Sequence, residues 1–244
     1  MTRTWPTTRF LASVRSVEEA RLAVAAGADF IDCKDPSSGA LGALPVDIVR
    51  AIRAAVPAGF LVSATVGDLV PEPETLKVAV AGMAATGVDF VKIGFFPGGD
   101  AAAAIRALAP PLFHPARLVG LLLADRDPDF DLISVMGNAG FAGVMVDTAG
   151  KSSGALPSVI SPPRLKSFID AAHREGLFAG LAGSLRLNHV AELLVLQPDL
   201  LGFRGALCRA GERTGALDFE ALMAVRGAIP GAPVPEVLQQ KVLL

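Results

Sequence analysis

Short apolar runs and longer Ala- and Leu-rich stretches alternate along the chain, and a Gly, Pro or Asp introduces each run. Runs of this length and composition read as buried strands. Eight are predicted, at residues 10–16, 30–35, 60–68, 90–96, 118–125, 143–148, 178–184 and 200–205. The stretches between them read as helices, at about 17–26, 46–55, 74–86, 101–108, 128–138, 163–175, 188–196 and 219–228. Ser16 stands ahead of the first, followed by Glu18 and Glu19. That places a capping hydroxyl and two acids where free N–H groups and the positive end of the helix dipole need them. Eight strand–helix units in 244 residues fit a closed parallel (β/α)8 TIM barrel, whose usual size is about 250 residues. An open doubly wound sheet is the alternative, but no G-x-G-x-x-G follows the first strand. One domain over 1–244 is expected, with the barrel at about 10–228 and a tail at 229–244.

An internal repeat supports closure. Ala28 to Lys34, Val88 to Gly94, Phe141 to Asp147 and Pro198 to Arg204 superimpose without gaps, on the second, fourth, sixth and eighth strands. Their second residues, 29, 89, 142 and 199, lie 60, 53 and 57 residues apart, the length of two strand–helix units each. Alternation along a strand turns Ile31, Val91, Val144 and Leu201 outward to the helices, with Cys33, Ile93, Val146 and Phe203 two residues on. The residues between point into the barrel. One inward layer then holds Asp32, Lys92, Met145 and Gly202, and a layer nearer the C-terminal mouth holds Lys34, Gly94, Asp147 and Arg204.

Composition makes this lining more telling. The chain is 52% hydrophobic and 19% charged, against about 25% charged in average domains. It has six lysines and sixteen arginines, yet two of the lysines lie in the inward layers and a third, Lys151, follows Asp147 in the loop above. A satisfied ion-pair cluster closing the barrel is one reading, since buried charges survive only when paired. Catalysis is the other, because active sites of such barrels lie at this mouth. Lysine crowded by cations and partly desolvated releases its proton more readily and can attack a carbonyl. The resulting iminium permits aldol addition, enolisation and elimination without a metal or organic cofactor, with Asp32 and Asp147 moving protons or holding the amines.

Gly183 and Ser184 at the end of the seventh strand, and Gly205 and Ala206 after the eighth, form the expected phosphate cradle of backbone N–H groups, with Arg204 as a charged partner. Arg15, with Ser13, and Ser63 and Thr65, with Asp68, flank the mouth as further substrate contacts. Ser-Ser-Gly-Ala-Leu occurs twice, at 37–41 and 152–156, each time after a lysine. No His pair or carboxylate spacing builds a metal site, and His114, His173 and His189 are expected at the surface. Cys33 and Cys208 read as buried free thiols. A net charge of -2 with dispersed basic residues offers nucleic acid no footprint. No uncharged apolar run approaches the roughly 18 residues of a membrane span, and no signal-peptide core is visible. The expected partner is a small molecule met in the cytoplasm, and the sequence leaves room for a homo-oligomer.

Taken together, Ser13-Val14-Arg15, Ile31-Asp32-Cys33-Lys34-Asp35-Pro36 with Gly39-Ala40-Leu41-Gly42, Ser63-Ala64-Thr65-Val66-Gly67-Asp68, Val91-Lys92-Ile93-Gly94, Asp147-Thr148 with Lys151, Leu181-Ala182-Gly183-Ser184-Leu185 and Arg204-Gly205-Ala206 with Cys208 resemble the (5-formylfuran-3-yl)methyl phosphate synthases of methanofuran biosynthesis. The resemblance runs in order from Leu11 to about Asp218. It implies a TIM-barrel lyase that joins two molecules of glyceraldehyde 3-phosphate into a furan aldehyde phosphate, losing one phosphate and water. It further implies Lys34 as the Schiff-base lysine, Lys92 and Lys151 as acid–base groups, and Asp32 and Asp147 as residues that position or relay protons. The region 125–131 is shorter than the family pattern, and the Pro-rich tail after Pro230 has no counterpart in it. Two other readings compete. A Schiff-base aldolase on another phosphorylated sugar would use the same lysine, whereas a barrel that only binds a phosphorylated metabolite would need none of Lys34, Lys92 and Lys151.

Overall fold

A computed structural model of the chain describes residues 5–109, 113–150 and 154–230. Its strands are β1 (Arg9–Val14), β2 (Phe30–Cys33), β3 (Leu61–Thr65), β4 (Phe90–Gly94), β5 (Arg117–Leu123), β6 (Gly143–Asp147), β7 (Phe178–Leu181) and β8 (Leu200–Phe203). All pair in parallel, in chain order, and β8 returns to β1 to close the barrel. The helices are α1 (Val17–Ala25), α2 (Val46–Ala55), α3 (Pro73–Ala84), α4 (Ala101–Ala107), α5 (Leu132–Asn138), α6 (Leu156–Val159), α7 (Pro162–Arg174), α8 (Val190–Val195) and α9 (Phe219–Ala228). The fold is thus the predicted TIM barrel.

Every predicted strand is present, but all eight stop short of the predicted C-terminal end; β3 ends at Thr65 and β7 at Leu181. The apolar and small residues that follow belong to loops folded over the mouth, so burial continues where strand pairing has ended. Helix α5 begins at Leu132 instead of 128, because Asp127 adopts a φ of 48° and the Asp129 carboxylate accepts the Asp131 N–H in a local turn. The short α6 lay outside the predicted set. Ser16 caps α1 as predicted, its hydroxyl accepting from the Glu19 N–H.

Two cores follow from strand alternation. Ile31, Cys33, Val91, Ile93, Val144, Val146, Leu201 and Phe203 face outward, as predicted, into one layer with helix residues such as Ile52, Leu76 and Phe168. Inside the barrel, Leu11, Phe30, Phe90, Val119, Met145, Phe178 and Leu200 form a second cluster. Its floor is aromatic: Phe90 packs at a tilt against Phe30 at 5.4 Å and edge to face with Phe178 at 5.8 Å, and Trp5 closes the bottom against Phe30 and Phe178. Water is thereby excluded from below, and the inward polar residues are confined to the upper half.

The repeat has a structural use at this closed end. Asp29, Asp89 and Asp199, each just before an even strand, accept the N–H of Phe10, Val62 and Ala179 respectively, all at 2.8 Å. Each carboxylate therefore ties its own strand to the preceding one; the sixth-strand copy has Ala142 in that place. Asp199 also meets His173 Nε2 at 2.6 Å. His173, expected at the surface, is instead largely buried by this pairing, with 10% of its side chain exposed. Cys33 and Cys208 are free and buried, and burial pushes both thiols up. Among the described residues, no helix is long and apolar enough to cross a membrane.

Candidate active site

A cavity opens at the C-terminal mouth above the aromatic floor. At its base Asp32 on β2 stands in register with Ser13 on β1 and Ser63 on β3. The Asp32 carboxylate accepts Ser63 Oγ at 2.6 Å, Ser13 Oγ at 3.0 Å and Lys92 Nζ of β4 at 3.0 Å. Asp32 is wholly buried and the Lys92 side chain is 4% exposed. Burial alone would push the Asp32 carboxyl up. The charges of Lys92 and Lys34, with hydrogen bonds from Ser63 and Lys92, outweigh it and hold the group below the usual carboxylate range.

One layer higher, Lys34 follows β2 and keeps strand geometry, its N–H donating to Val14 O. Its Nζ lies 3.2 Å from Asp147 Oδ2 at the end of β6, so this second pair reaches across the barrel. Asp147 Oδ1 accepts the Thr148 N–H at 2.7 Å. Lys34 and Lys92 are thus each matched to a carboxylate. Lys151 lies outside the described residues, but the loop leading to it is anchored: Ala149 and Gly150 donate their N–H groups to the two oxygens of Asp125, both at 2.7 Å.

The loop after β2 is held in the same manner. Asp68 accepts the N–H groups of Ala40 at 2.8 Å and Leu41 at 2.6 Å. At Gly39, φ is +87°, and a Cβ there would lie 2.1 Å from Asp68 Oδ2, so the carboxylate occupies the place of a side chain. On the other side of the cavity Gly183, Ser184 and Gly205 line the wall.

Residues 10–226 match the 4-HFC-P synthase family. The chain belongs to that family. A Methylorubrum extorquens protein provisionally named a (5-formylfuran-3-yl)methyl phosphate synthase is 47% identical over 210 residues, 86% of either chain. The (5-formylfuran-3-yl)methyl phosphate synthase of Methanocaldococcus jannaschii is 33% identical over 238 residues, 88% of this chain and 97% of its own. That of Methanopyrus kandleri is 38% identical over 216 residues, 84% and 91% of the two chains. Among solved structures, phosphoribosyl anthranilate isomerase of Thermus thermophilus superposes with a TM-score of 0.64 at 17% identity, over 91% of this chain and 98% of its own. A 3-hexulose-6-phosphate synthase gives 0.64 at 17% identity, over 91% and 100%. These two share the barrel fold. The family assignment makes the chain an enzyme.

Within this family member the inward residues Asp32, Lys34, Lys92 and Asp147 all line the cavity, together with Ser13. Several expected substrate contacts have other work. Ser63 is spent on Asp32. Thr65 is fully buried and donates to Gly42 O at 2.9 Å, because the loop after β2 folds over it. Arg15 pairs with Glu19 at 3.5 Å with 41% of its side chain exposed, and it does not line the cavity. Ala206 packs against the outer core from a 3-10 turn, Gly205–Leu207. Arg204 borders the cavity, but its guanidinium grips both oxygens of Glu19 and donates to the carbonyls of Ser13, Arg213 and Gly215. It braces the loop after β8 and has no donor left over for a phosphate. Arg186 and Arg213, which the sequence pattern did not single out, stand in the cavity wall. Among the described residues, no group of three or more His, Cys, Asp or Glu side chains could hold a metal ion.

Gly183 offers a direct test of the cradle. Its φ is +110°, and a Cβ would meet Thr148 N at 2.8 Å. Gly183→Ala is expected to cost about 1–3 kcal/mol of stability from backbone strain and to raise KM for a phosphorylated substrate about tenfold with a smaller change in kcat. Thermal melts and steady-state kinetics on the same preparation check both. An unchanged KM in a destabilised variant would remove the loop from the phosphate site.

Proposed function

We propose that the enzyme condenses two molecules of glyceraldehyde 3-phosphate into (5-formylfuran-3-yl)methyl phosphate, releasing one inorganic phosphate and two waters, through an iminium on Lys34. The observation that carries this reading is the stacked arrangement of two ion pairs at the mouth, with Lys34 Nζ 3.2 Å from Asp147 and Lys92 Nζ 3.0 Å from Asp32. Transfer of a proton from the Lys34 ammonium to Asp147 frees the amine lone pair. The amine adds to the aldehyde carbon of one triose, and loss of water from the carbinolamine gives the iminium. The iminium acidifies the neighbouring C–H, the resulting enamine expels phosphate from C3 to leave an unsaturated iminium, and C2 of the second triose, as its enediolate, adds to that C3. Lys92, held by Asp32, donates a proton to the departing phosphate in this reading. Lys151 supplies a further acid–base group from the anchored loop after β6. The C2 oxygen of the first triose closes on the aldehyde carbon of the second, two waters are lost to form the aromatic ring, and hydrolysis from Lys34 gives the furan aldehyde and returns the amine.

The backbone N–H groups of Gly183, Ser184 and Gly205 bind phosphate in this reading. The electron sink is the iminium itself, so no metal or organic cofactor is required. The test is incubation with glyceraldehyde 3-phosphate, following inorganic phosphate and a near-ultraviolet absorbing product, before and after exhaustive chelation. A furan with stoichiometric phosphate at an unchanged rate supports the reading. A product retaining both phosphates would make the enzyme an aldolase, and activity restored only by a divalent ion would return Asp32 and Asp147 to the role of ligands.

A further inference from the structure

Five cations among the described residues line the cavity: Lys34, Lys92, Arg186, Arg204 and Arg213. Three are matched by carboxylates, Lys34 by Asp147, Lys92 by Asp32 and Arg204 by Glu19. The other two donate to neutral carbonyls. Arg186 meets Gly211 O through both terminal nitrogens at 3.3 Å, and Arg213 meets Gly39 O at 3.0 Å. Among the described residues neither has a carboxylate partner. The wall therefore carries two formal positive charges that no carboxylate among the described residues pairs with, and a phosphate monoester carries about −1.5 to −2 at neutral pH.

Their position matches that charge. A terminal nitrogen of Arg186 lies 3.8 Å from where a Cβ on Gly205 would stand, so the guanidinium rests against the turn that helps form the backbone cradle. Arg213 extends from the loop after β8 across to Gly39 in the loop after β2, the loop that follows Lys34. Both guanidinium groups keep donors beyond those given to carbonyls, since each has five N–H bonds in a fixed fork suited to phosphate oxygens.

We infer that Arg186 and Arg213 are the charged half of the phosphate site, closing on a phosphate monoester whose other side rests on the N–H groups of Gly183, Ser184 and Gly205. The inference rests on the proposed function for the identity of the substrate, but not for the binding of phosphate. Arg186 provides charge beside the cradle. Arg213 links the bound phosphate to the loop after Lys34, a contact that an unphosphorylated aldehyde does not make. The pair thereby selects phosphorylated over neutral aldehydes.

The test uses the full chain with inorganic phosphate as probe, followed by titration calorimetry, alongside kinetics with glyceraldehyde 3-phosphate and borohydride trapping of glyceraldehyde. Arg186→Gln and Arg213→Gln are each expected to weaken phosphate binding tenfold or more and to raise KM for the triose phosphate by a similar factor, while borohydride trapping of glyceraldehyde on Lys34 changes less than threefold. Arg186→Lys and Arg213→Lys, which keep charge but lose the fork, are expected to recover part of the affinity. Should a Gln variant not fold, phenylglyoxal modification of the wild-type chain provides the same information, with phosphate protecting Arg186 and Arg213. Folded Gln variants that bind phosphate as the wild type does, equal modification with and without phosphate, or no saturable phosphate binding by the wild type would each overturn the inference. Arginine-dependent phosphate binding without any furan would uphold it and overturn the reaction, whereas furan formation with arginine-independent binding would do the reverse.

Discussion

Lys34→Arg is expected to lower furan formation by at least about 10³-fold, the scale on which enzymes lose rate when a covalent nucleophile is removed. Arginine is the informative replacement. It keeps a cation opposite Asp147, whose side chain is only 11% exposed, so the variant is not burdened with an uncompensated carboxylate. It cannot surrender a proton to become a nucleophile. Its melting temperature is therefore expected to stay near that of the wild type while the rate collapses. Borohydride added with glyceraldehyde 3-phosphate is expected to fix a secondary amine on the peptide containing Lys34 in the wild type and nowhere in the variant. A label on a different lysine would move the nucleophile, and a wild-type enzyme that never becomes labelled would remove the iminium from the mechanism.

The inward layers were legible because strand parity is a strict rule wherever a strand is buried on both faces. Asp32 and Lys92 were placed in one layer and Lys34 and Asp147 in the next, and the two ion pairs form within those layers. The same rule misled at Arg204. Strand β8 ends at Phe203, and Arg204 takes φ −137° and ψ −67°, so its side chain no longer obeys the alternation and turns to Glu19 of α1. Thr65 illustrates a second limit: its parity is inward, but what covers an inward position near the mouth is decided by a loop, and here the backbone at Gly42 claims its hydroxyl.

The duplicated Ser-Ser-Gly-Ala-Leu shows how far local sequence reaches. Gly39 and Gly154 share a φ of +87°, so the left-handed backbone at the glycine is common to both. The anchoring is not. Ala40 and Leu41 donate to Asp68, whereas Leu156 donates to Gly183 O. Identical residues meet different neighbours, and no local pattern names those neighbours. Arg186 and Arg213 were missed for the same reason, since an arginine in a polar loop reads as a solvated one until the fold brings it to the mouth.

Lys92→Met is expected to destabilise the barrel by about 3–5 kcal/mol at neutral pH, the cost of leaving one partner of a buried ion pair without the other, and to lower activity at least about 10²-fold. The loss is a large share of the roughly 5–15 kcal/mol that holds a domain folded. Its pH dependence identifies the cause. In the wild type the Asp32 carboxyl sits below its unfolded value, about 3.9, so its contribution to stability is present above that pH and is lost as pH falls through the lower folded value. In Lys92→Met, burial, the largest influence on Asp32, loses its main opponent and favours the protonated acid. The native state then holds a proton that the unfolded chain has released, and stability rises as pH is lowered from 7 towards 5. Urea denaturation at several pH values measures both slopes. In the double variant Asp32→Asn, Lys92→Met the buried charge is gone, so the inverted slope is expected to vanish and part of the lost stability to return while activity stays low. A Lys92→Met variant as stable as the wild type at neutral pH, with the same pH profile, would mean that Asp32 does not depend on Lys92 for its charge, and the lower ion pair would no longer account for how an acid survives at the base of the cavity.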